Sequence, residues 1–203
     1  MKNAIAGALA LMAAMLLNGC ATVVRDDDTA RTVVGTEEGI RIEGEIFGEA
    51  MTPGGRVPIT WTIRNQRTVA IAVADIVAES SYDPETRTIT VGLGAEVPGE
   101  QLLPRLVSVA PGESKSFSTA AAVGFISSGS PQPNALRLRV NFLADVKPFA
   151  RLIGIQEKAV ADAAFAAEIF PLWLERTEAV YTSAVPMRWG PAVVDPISAA
   201  RRR

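Results

Sequence analysis

The chain has 203 residues, 20 Lys and Arg against 22 Asp and Glu, no histidine and a single cysteine. A formal charge of −2 without a basic stripe argues against nucleic-acid binding. The missing histidine excludes Ser-His-Asp and Cys-His catalysis and the usual zinc sites, and one cysteine excludes an internal disulfide.

At the N-terminus, Met1-Lys2-Asn3 supplies a short positive start. Ala4 to Leu17 is then an uncharged run of Ala, Leu, Met and Ile with one Gly. This is the charged and apolar architecture of an export signal, too short to span a bilayer core that needs roughly 20 apolar residues. Leu17-Asn18-Gly19-Cys20 follows and resembles the bacterial lipobox, although Asn18 is less common there than Ala or Ser. The resemblance implies a signal peptide over residues 1–19, cleavage after Gly19, diacylglyceryl transfer to the Cys20 sulfur and acylation, such as palmitate, at the new terminus. A small Gly19 suits a peptidase site, and a thiolate is the nucleophile that takes up lipid. The competing reading is a plain signal peptide, or an uncleaved anchor, with an incidental cysteine. Each buried methylene of an acyl chain contributes about 0.8 kcal/mol, so two or three chains anchor firmly. By analogy with Gram-negative lipoproteins, Ala21 in place of Asp points to the outer membrane, with the exported domain facing the periplasm.

Residues 20–38 read as a tether, and Asp26-Asp27-Asp28 as a solvated run without the turn spacing and glycine of an oxygen-ligand cation site. From Ile40 the pattern has period two. Ile40, Ile42 and Ile46 alternate with charged residues, and after the turn Thr52-Pro53-Gly54-Gly55, Val57, Ile59, Trp61 and Ile63 alternate with Pro58, Thr60, Thr62 and Arg64. This places Trp61 in the core. Past Asn65-Gln66-Arg67, Val69, Ile71 and Val73 form the next apolar set. A turn at Tyr82-Asp83-Pro84-Glu85 precedes Ile89, Val91 and Leu93. Ala110-Pro111-Gly112-Glu113 leads into a strand over residues 116–120, Leu136, Leu138, Val140 and Phe142 define another, and a last strand covers 179–189.

About seven short strands separated by Gly/Pro turns predict a mainly β chain, an antiparallel sandwich over residues 39–191. The stretch from Val57 to Phe117, about a third of the chain, resembles the immunoglobulin-like domains of bacterial envelope proteins. Ile59-Thr60-Trp61-Thr62-Ile63-Arg64-Asn65 and the Pro111-Gly112-Glu113 entry to a strand carry that likeness. It implies an immunoglobulin-like fold and transfers no functional residues, and the antibody Cys–Trp–Cys signature is absent.

One segment breaks the period. Gln156 to Phe170 is Ala-rich, lacks Gly and ends at Pro171, which predicts a helix inserted before the last strand, with Val160, Ala163, Ala167 and Phe170 on one face. Phe165, Phe170 and Trp173 mark this insert, Pro148 to Trp173, as the candidate partner contact. The insert either caps an open end of the sandwich or offers an apolar patch. Residues 192–203 end in Arg201-Arg202-Arg203, a basic tail that is solvated or touches anionic lipid or wall polymer.

No G-x-S-x-G elbow, S-x-x-K or Walker loop occurs, and Gly92-Leu93-Gly94 lacks the third glycine of a dinucleotide fingerprint. Catalytic residues, metal ligands and cofactors are therefore not expected. The favoured function is a non-catalytic binding or assembly module of the envelope, acting on an envelope protein or polymer. The alternative is a hydrolase of wall or surface glycans working through two carboxylates, Asp83 with Glu85 or Glu168 with Glu175. Asp83 and Glu85 flank a proline in a turn, where Asp is favoured simply as a cap.

Overall fold

A computed structural model of the chain describes residues 30–74, 79–94, 103–127, 129–154, 159–160 and 163–190. The signal segment, the lipobox with Cys20, Ala21, the Asp26-Asp27-Asp28 run and the tail from residue 192 lie outside the described residues. In chain order come β1 (Arg31–Glu37), β2 (Ile40–Ile46), β3 (Ala50–Met51), β4 (Arg56–Asn65), β5 (Ile71–Ala74), β6 (Glu79–Asp83), β7 (Thr88–Leu93) and β8 (Leu103–Pro104). They are followed by β9 (Leu106–Val109), β10 (Ser114–Ala122), β11 (Ala135–Leu143), a 3-10 turn at Lys147–Leu152, β12 (Ala159–Val160), α1 (Ala163–Arg176), β13 (Thr177–Tyr181), β14 (Val185–Pro186) and β15 (Arg188–Trp189). The chain is mainly β.

The first sheet has the order β1-β2-β4-β10 and is antiparallel throughout. Its β1–β2 connection is a two-residue loop in which Glu38 and Gly39 both take positive φ, 44° and 80°. Two such residues twist the backbone with the hand that antiparallel neighbours need. The alternation read from β2 and β4 holds: Ile40, Ile42, Ile46, Val57, Ile59, Trp61 and Ile63 are buried. Pro111 and Gly112, with Gly112 at φ 77°, turn the chain into β10, and the Glu113 amide donates to the Ala110 carbonyl at 3.0 Å.

The second sheet runs β6-β7-β11-β5-β9, with β13 and β14 also on β11. Its inner residues, including Ile71, Val73, Ile89, Val91, Leu136, Leu138 and Val140, join those of the first sheet in one hydrophobic core. Burial of this interleaved apolar surface is what holds two half-polar sheets together. The sheets come close enough that a Cβ on Gly44 of β2 would lie 2.6 Å from Leu138 Cδ1, so a side chain there would force Leu138 to shift within the core.

A second core lies on the outer face of this second sheet. All four residues of β5 are buried; Ile71 and Val73 face the shared core, while Ala72 and Ala74 face a cluster of Leu103, Leu106, Leu143, Phe149, Leu152 and the helix. Small Ala72 and Ala74 leave room for α1 to approach.

Several expectations are corrected here. Arg31–Glu37 is strand β1, not tether, because every residue of it pairs in register with β2. The second sheet is mixed: β7 and β11 run parallel from Ala135↔Thr88 to Val140↔Leu93, the intervening chain having crossed to the other sheet as β10. Val69 is 53% exposed and lies outside β5. The last strand is broken into β13, β14 and β15, since the Ser183 amide turns away to the Val34 carbonyl of β1 at 2.9 Å and Pro186 has no amide to give.

The described helix spans Ala163–Arg176 and passes through Pro171, beyond the end expected at Phe170, while Ala159 and Val160, expected in it, pair with β8. Ile169 and Trp173, buried on either side of the proline, hold it in line. Ala167, whose carbonyl loses its amide partner, is exposed to water. The buried face is Phe165, Ala166, Ile169 and Trp173; Ala163 and Ala167 are exposed. Tertiary burial, not the Ala spacing, selected the face.

Asn65 closes β4 and is fully buried. Its Nδ2 donates to the Val69 and Val109 carbonyls at 2.8 and 2.9 Å, and its Oδ1 accepts the Arg67 amide at 2.9 Å. Asn65→Ala orphans these groups and is expected to lower unfolding free energy by about 1–3 kcal/mol in a urea titration. Asn65→Asp, which turns both donors into acceptors facing carbonyls, is expected to be at least as damaging.

Candidate functional site

The three residues of the insert are placed unequally. Trp173 is fully buried, Phe165 nearly so, and Phe170 half-buried. Trp173 meets Phe149 edge-to-face, with ring centroids 5.6 Å apart, and Arg151 lies over the Phe165 ring at 3.9 Å. Thr177 Oγ1 donates to the Trp173 carbonyl at 2.7 Å, tying the helix end to β13. The insert is thus a cover over the outer face of the second sheet, and Phe165 and Trp173 belong to its core. Only Phe170 of the three keeps partial access to solvent.

One carboxylate of each proposed pair has another partner. Asp83 Oδ2 accepts the Thr86 hydroxyl at 2.7 Å and Oδ1 accepts the Glu85 amide at 2.9 Å. The Thr86 hydroxyl first, and then the Glu85 amide, hold the Asp83 carboxyl below its ordinary range. A carboxyl shifted that way is a turn cap, unsuited to act as an acid near neutrality. Glu168 and Glu175 are exposed on α1, and Glu175 pairs with Arg176 at 3.2 Å. Glu113 is likewise held low, by Lys115 at 2.7 Å and then by the Ala110 amide.

A different group of carboxylates does converge. Glu37 and Glu38 at the β1–β2 turn, Arg67 after β4, Phe142 of β11 and Glu178 of β13 line a polar pocket of about 210 Å³. Arg67 Nη2 bonds Glu178 Oε2 at 2.5 Å and lies 3.6 Å from Glu38 Oε2, its Nε donates to the Glu38 carbonyl at 2.9 Å, and its guanidinium sits 5.2 Å from the Phe142 ring centre. With its side chain only 16% exposed, Arg67 offsets part of the negative charge of Glu37, Glu38 and Glu178 and fastens the two sheets. No sequence signal could have found it, because its members come from four separated segments.

A larger cavity, about 230 Å³, opens between the sheets beside β10 and is lined by Trp61, Ala74, Leu93, Gly94, Phe117, Ser118 and Thr119. Trp61 and Phe117 face each other across the register of β4 and β10 and stack, with centroids 4.4 Å apart and planes 18° apart. Trp61 is 4% exposed, whereas Phe117 is only partly buried against the core. The sheets therefore stay slightly apart at this edge, leaving a space lined by aromatic rings on one side and by polar groups of Ser118 and Thr119 beside them. Further along, Phe125 is 85% exposed over a small cleft with Ser80, Ser81, Tyr82 and Ile126.

Among the described residues, no group of three or more Asp, Glu, His or Cys is placed to hold a metal ion, and no helix is long and apolar enough to cross a membrane. No family model matches the chain, and neither a curated protein nor a solved structure matches it.

Proposed function

We propose that the chain is a lipid-anchored lipoprotein of the bacterial envelope whose exported part is a non-catalytic, immunoglobulin-like binding module. The observation that carries the reading is Leu17-Asn18-Gly19-Cys20 behind a short apolar signal, with Cys20 the sole cysteine of the chain. Ala21 favours the outer membrane with the module facing the periplasm. The immunoglobulin-like assignment draws support from two sheets sharing one core, from Trp61 buried within it, and from the Pro-Gly turn into β10. The parallel β7–β11 pair is the feature such a sandwich must accommodate.

Binding rather than hydrolysis is favoured because one carboxylate of each pair weighed for catalysis is engaged elsewhere, Asp83 by its turn and Glu175 by Arg176. Arg67 engages Glu38 and Glu178, and a turn engages Asp83. A glycosidase needs two carboxyl groups about 5–10 Å apart and free to exchange protons and water.

The anchor is tested by labelling cells with a radioactive or clickable palmitate. The parent protein is expected to incorporate label and to sediment with membranes. Cys20→Ser is expected to accumulate as an unlabelled, unprocessed precursor. A variant that is matured and fractionates like the parent would overturn the lipobox reading.

A further inference from the structure

We infer that the end of the domain from which β1 leads back to Cys20 rests on the membrane, with the Phe125 ring of the β10–β11 loop entering the boundary between lipid headgroups and acyl chains. This rests on the reading of the chain as a lipid-anchored protein and specifies the surface that its exported domain meets.

The strand register fixes which residues share that end. Arg31, the first residue of β1, is level with Ile46 of β2, Ile59 of β4 and Thr119 of β10. Beyond them, in the same direction, lie the start of β4 at Arg56, paired with Ala122, and the loop that leaves β10 for β11. The Gly54 amide donates to the Val123 carbonyl at 3.0 Å and the Val123 amide to the Gly55 carbonyl at 2.9 Å, which brings Phe125 to this end. Residues 21–30 separate Cys20 from Arg31, and a stretch of that length reaches at most about 35 Å. Asn65, at the other end of β4, lies about 30 Å from Arg56. The anchor thus keeps one end of the sheets within reach of the bilayer and leaves the other further off.

The loop has the composition that such a contact needs. From Ser116 to Leu136 no residue is charged, in a chain that is 21% charged, so no ion has to be stripped of water when this segment meets the headgroup boundary. Phe125 is 85% exposed, the most exposed of the described large apolar residues. It is held in that position. Its ring lies against Gly54, where a Cβ would come 3.0 Å from Phe125 Cζ. Further on, the Tyr82 hydroxyl and Arg87 Nε fasten the loop by donating to the Pro131 and Gln132 carbonyls. The neighbouring loop, residues 47–55, has one charge, Glu49, and Arg188 pairs with it. Arg56, exposed at the start of β4, has a stem long enough to carry its charge to lipid phosphates.

Single apolar side chains are common on protein surfaces, and what distinguishes Phe125 is its place and its uncharged surroundings. Val69, 53% exposed beyond the end of β4, stands at the opposite end and has no such setting. The β6–β7 turn at the anchored end does keep charges, Asp83, Glu85 and Arg87, and these set the depth. The turn stays among hydrated headgroups, and only Phe125 with its uncharged neighbours passes below them. An aromatic ring at the acyl boundary with basic side chains above it is the arrangement by which proteins lie on a membrane without crossing it.

The test uses the processed full chain in vesicles of phosphatidylethanolamine and phosphatidylglycerol, part of the lipid carrying a nitroxide on its acyl chain. With the Cys20 sulfur holding lipid, Ser127→Cys supplies the one free thiol for an environment-sensitive dye, at an exposed position two residues from Phe125. That dye is expected to lose most of its emission to the nitroxide lipid, whereas the same dye on Val69→Cys keeps its emission. Adding Phe125→Asp to Ser127→Cys is expected to restore the emission with the circular dichroism spectrum retained. If the double variant does not fold, the comparison of Ser127→Cys with Val69→Cys decides alone. Equal emission at the two positions would overturn the inference, as would quenching that survives Phe125→Asp. So would dimers in sedimentation with the Ser127→Cys dye unquenched, since a second copy would then cover the loop. The parent chain tells the failures apart. A parent that takes up dye through a free Cys20 refutes the anchor and the docking with it, whereas a parent that refuses dye while Ser127→Cys stays unquenched refutes the docking alone.

Discussion

Trp61→Ala is expected to lower the unfolding free energy by about 3–5 kcal/mol, the range for emptying a buried tryptophan site. Trp61 is 4% exposed, and its ring is the floor on which Phe117 stacks. The substitution therefore removes both buried apolar surface and an aromatic pair that itself contributes about 0.5–1.5 kcal/mol beyond burial. The neighbourhood cannot collapse to compensate, since an open space already adjoins the ring. For a domain of this size the loss corresponds to a fall in Tm of roughly 6–20 °C. Phe117→Ala, at a half-buried position, is expected to be milder. Equilibrium urea unfolding of the two variants checks the order. A change below about 0.5 kcal/mol for Trp61→Ala would contradict its burial.

Trp173→Ala is expected to destabilise by a similar amount, about 3–5 kcal/mol, and replacement of the whole insert from Pro148 to Trp173 by a short Gly-containing turn is expected to unfold the domain. Such a turn would leave Ala72, Leu103, Leu106 and Leu143 facing water on the outer side of the second sheet. The tryptophan also carries a weakness that makes the prediction specific. Its Nε1 is buried and meets no acceptor among the described residues. An unsatisfied buried donor costs about 1–3 kcal/mol, so Trp173→Phe, which deletes the donor and keeps most of the ring, is expected to cost far less than Trp173→Ala. Stability unchanged by Trp173→Ala would return the insert to the surface role that its aromatic cluster first suggests. Together the two tryptophans report on separate cores, Trp61 between the sheets and Trp173 beneath the helix. Their substitutions should add nearly independently.

Local pattern was enough for the elements with one wet face. In β2 and β4 the period-two alternation of Ile, Val and Trp identifies both the strand and its buried side, because one face meets the opposite sheet and the other meets water or charge. In β7 and β11 the same alternation marks the strand, although Thr88, Thr90 and Asn141 on the other face are buried too. The turns at residues 52–55 and 110–113 were legible for the same local reason, and the one read at 82–85 lies two residues later, at 84–87, after Tyr82 and Asp83 have closed β6: proline, glycine and Asp restrict the backbone wherever they stand. The proposed lipobox and signal rest on a short contiguous segment outside the described residues.

What escaped was decided by partners distant in the chain. β1 is polar and looks like tether, yet it becomes a strand because β2 offers it a full register of hydrogen bonds. β6, with the sequence ESSYD, has no alternation to read, and it is held by β7. β5 is buried on both faces only because the helical insert, about ninety residues later in the chain, folds over it. The same contact chose Phe165, Ala166, Ile169 and Trp173 as the inner face of α1 and carried the helix through Pro171. Pairing sense is likewise invisible locally, since a strand's own residues are compatible with a parallel or an antiparallel neighbour, and the route of the intervening chain through β10 made β7 and β11 parallel. The Arg67 pocket belongs to this second kind. It exists as a surface only once strands from separate parts of the sequence have been set side by side, because its shape is a property of the pairing and not of any one segment.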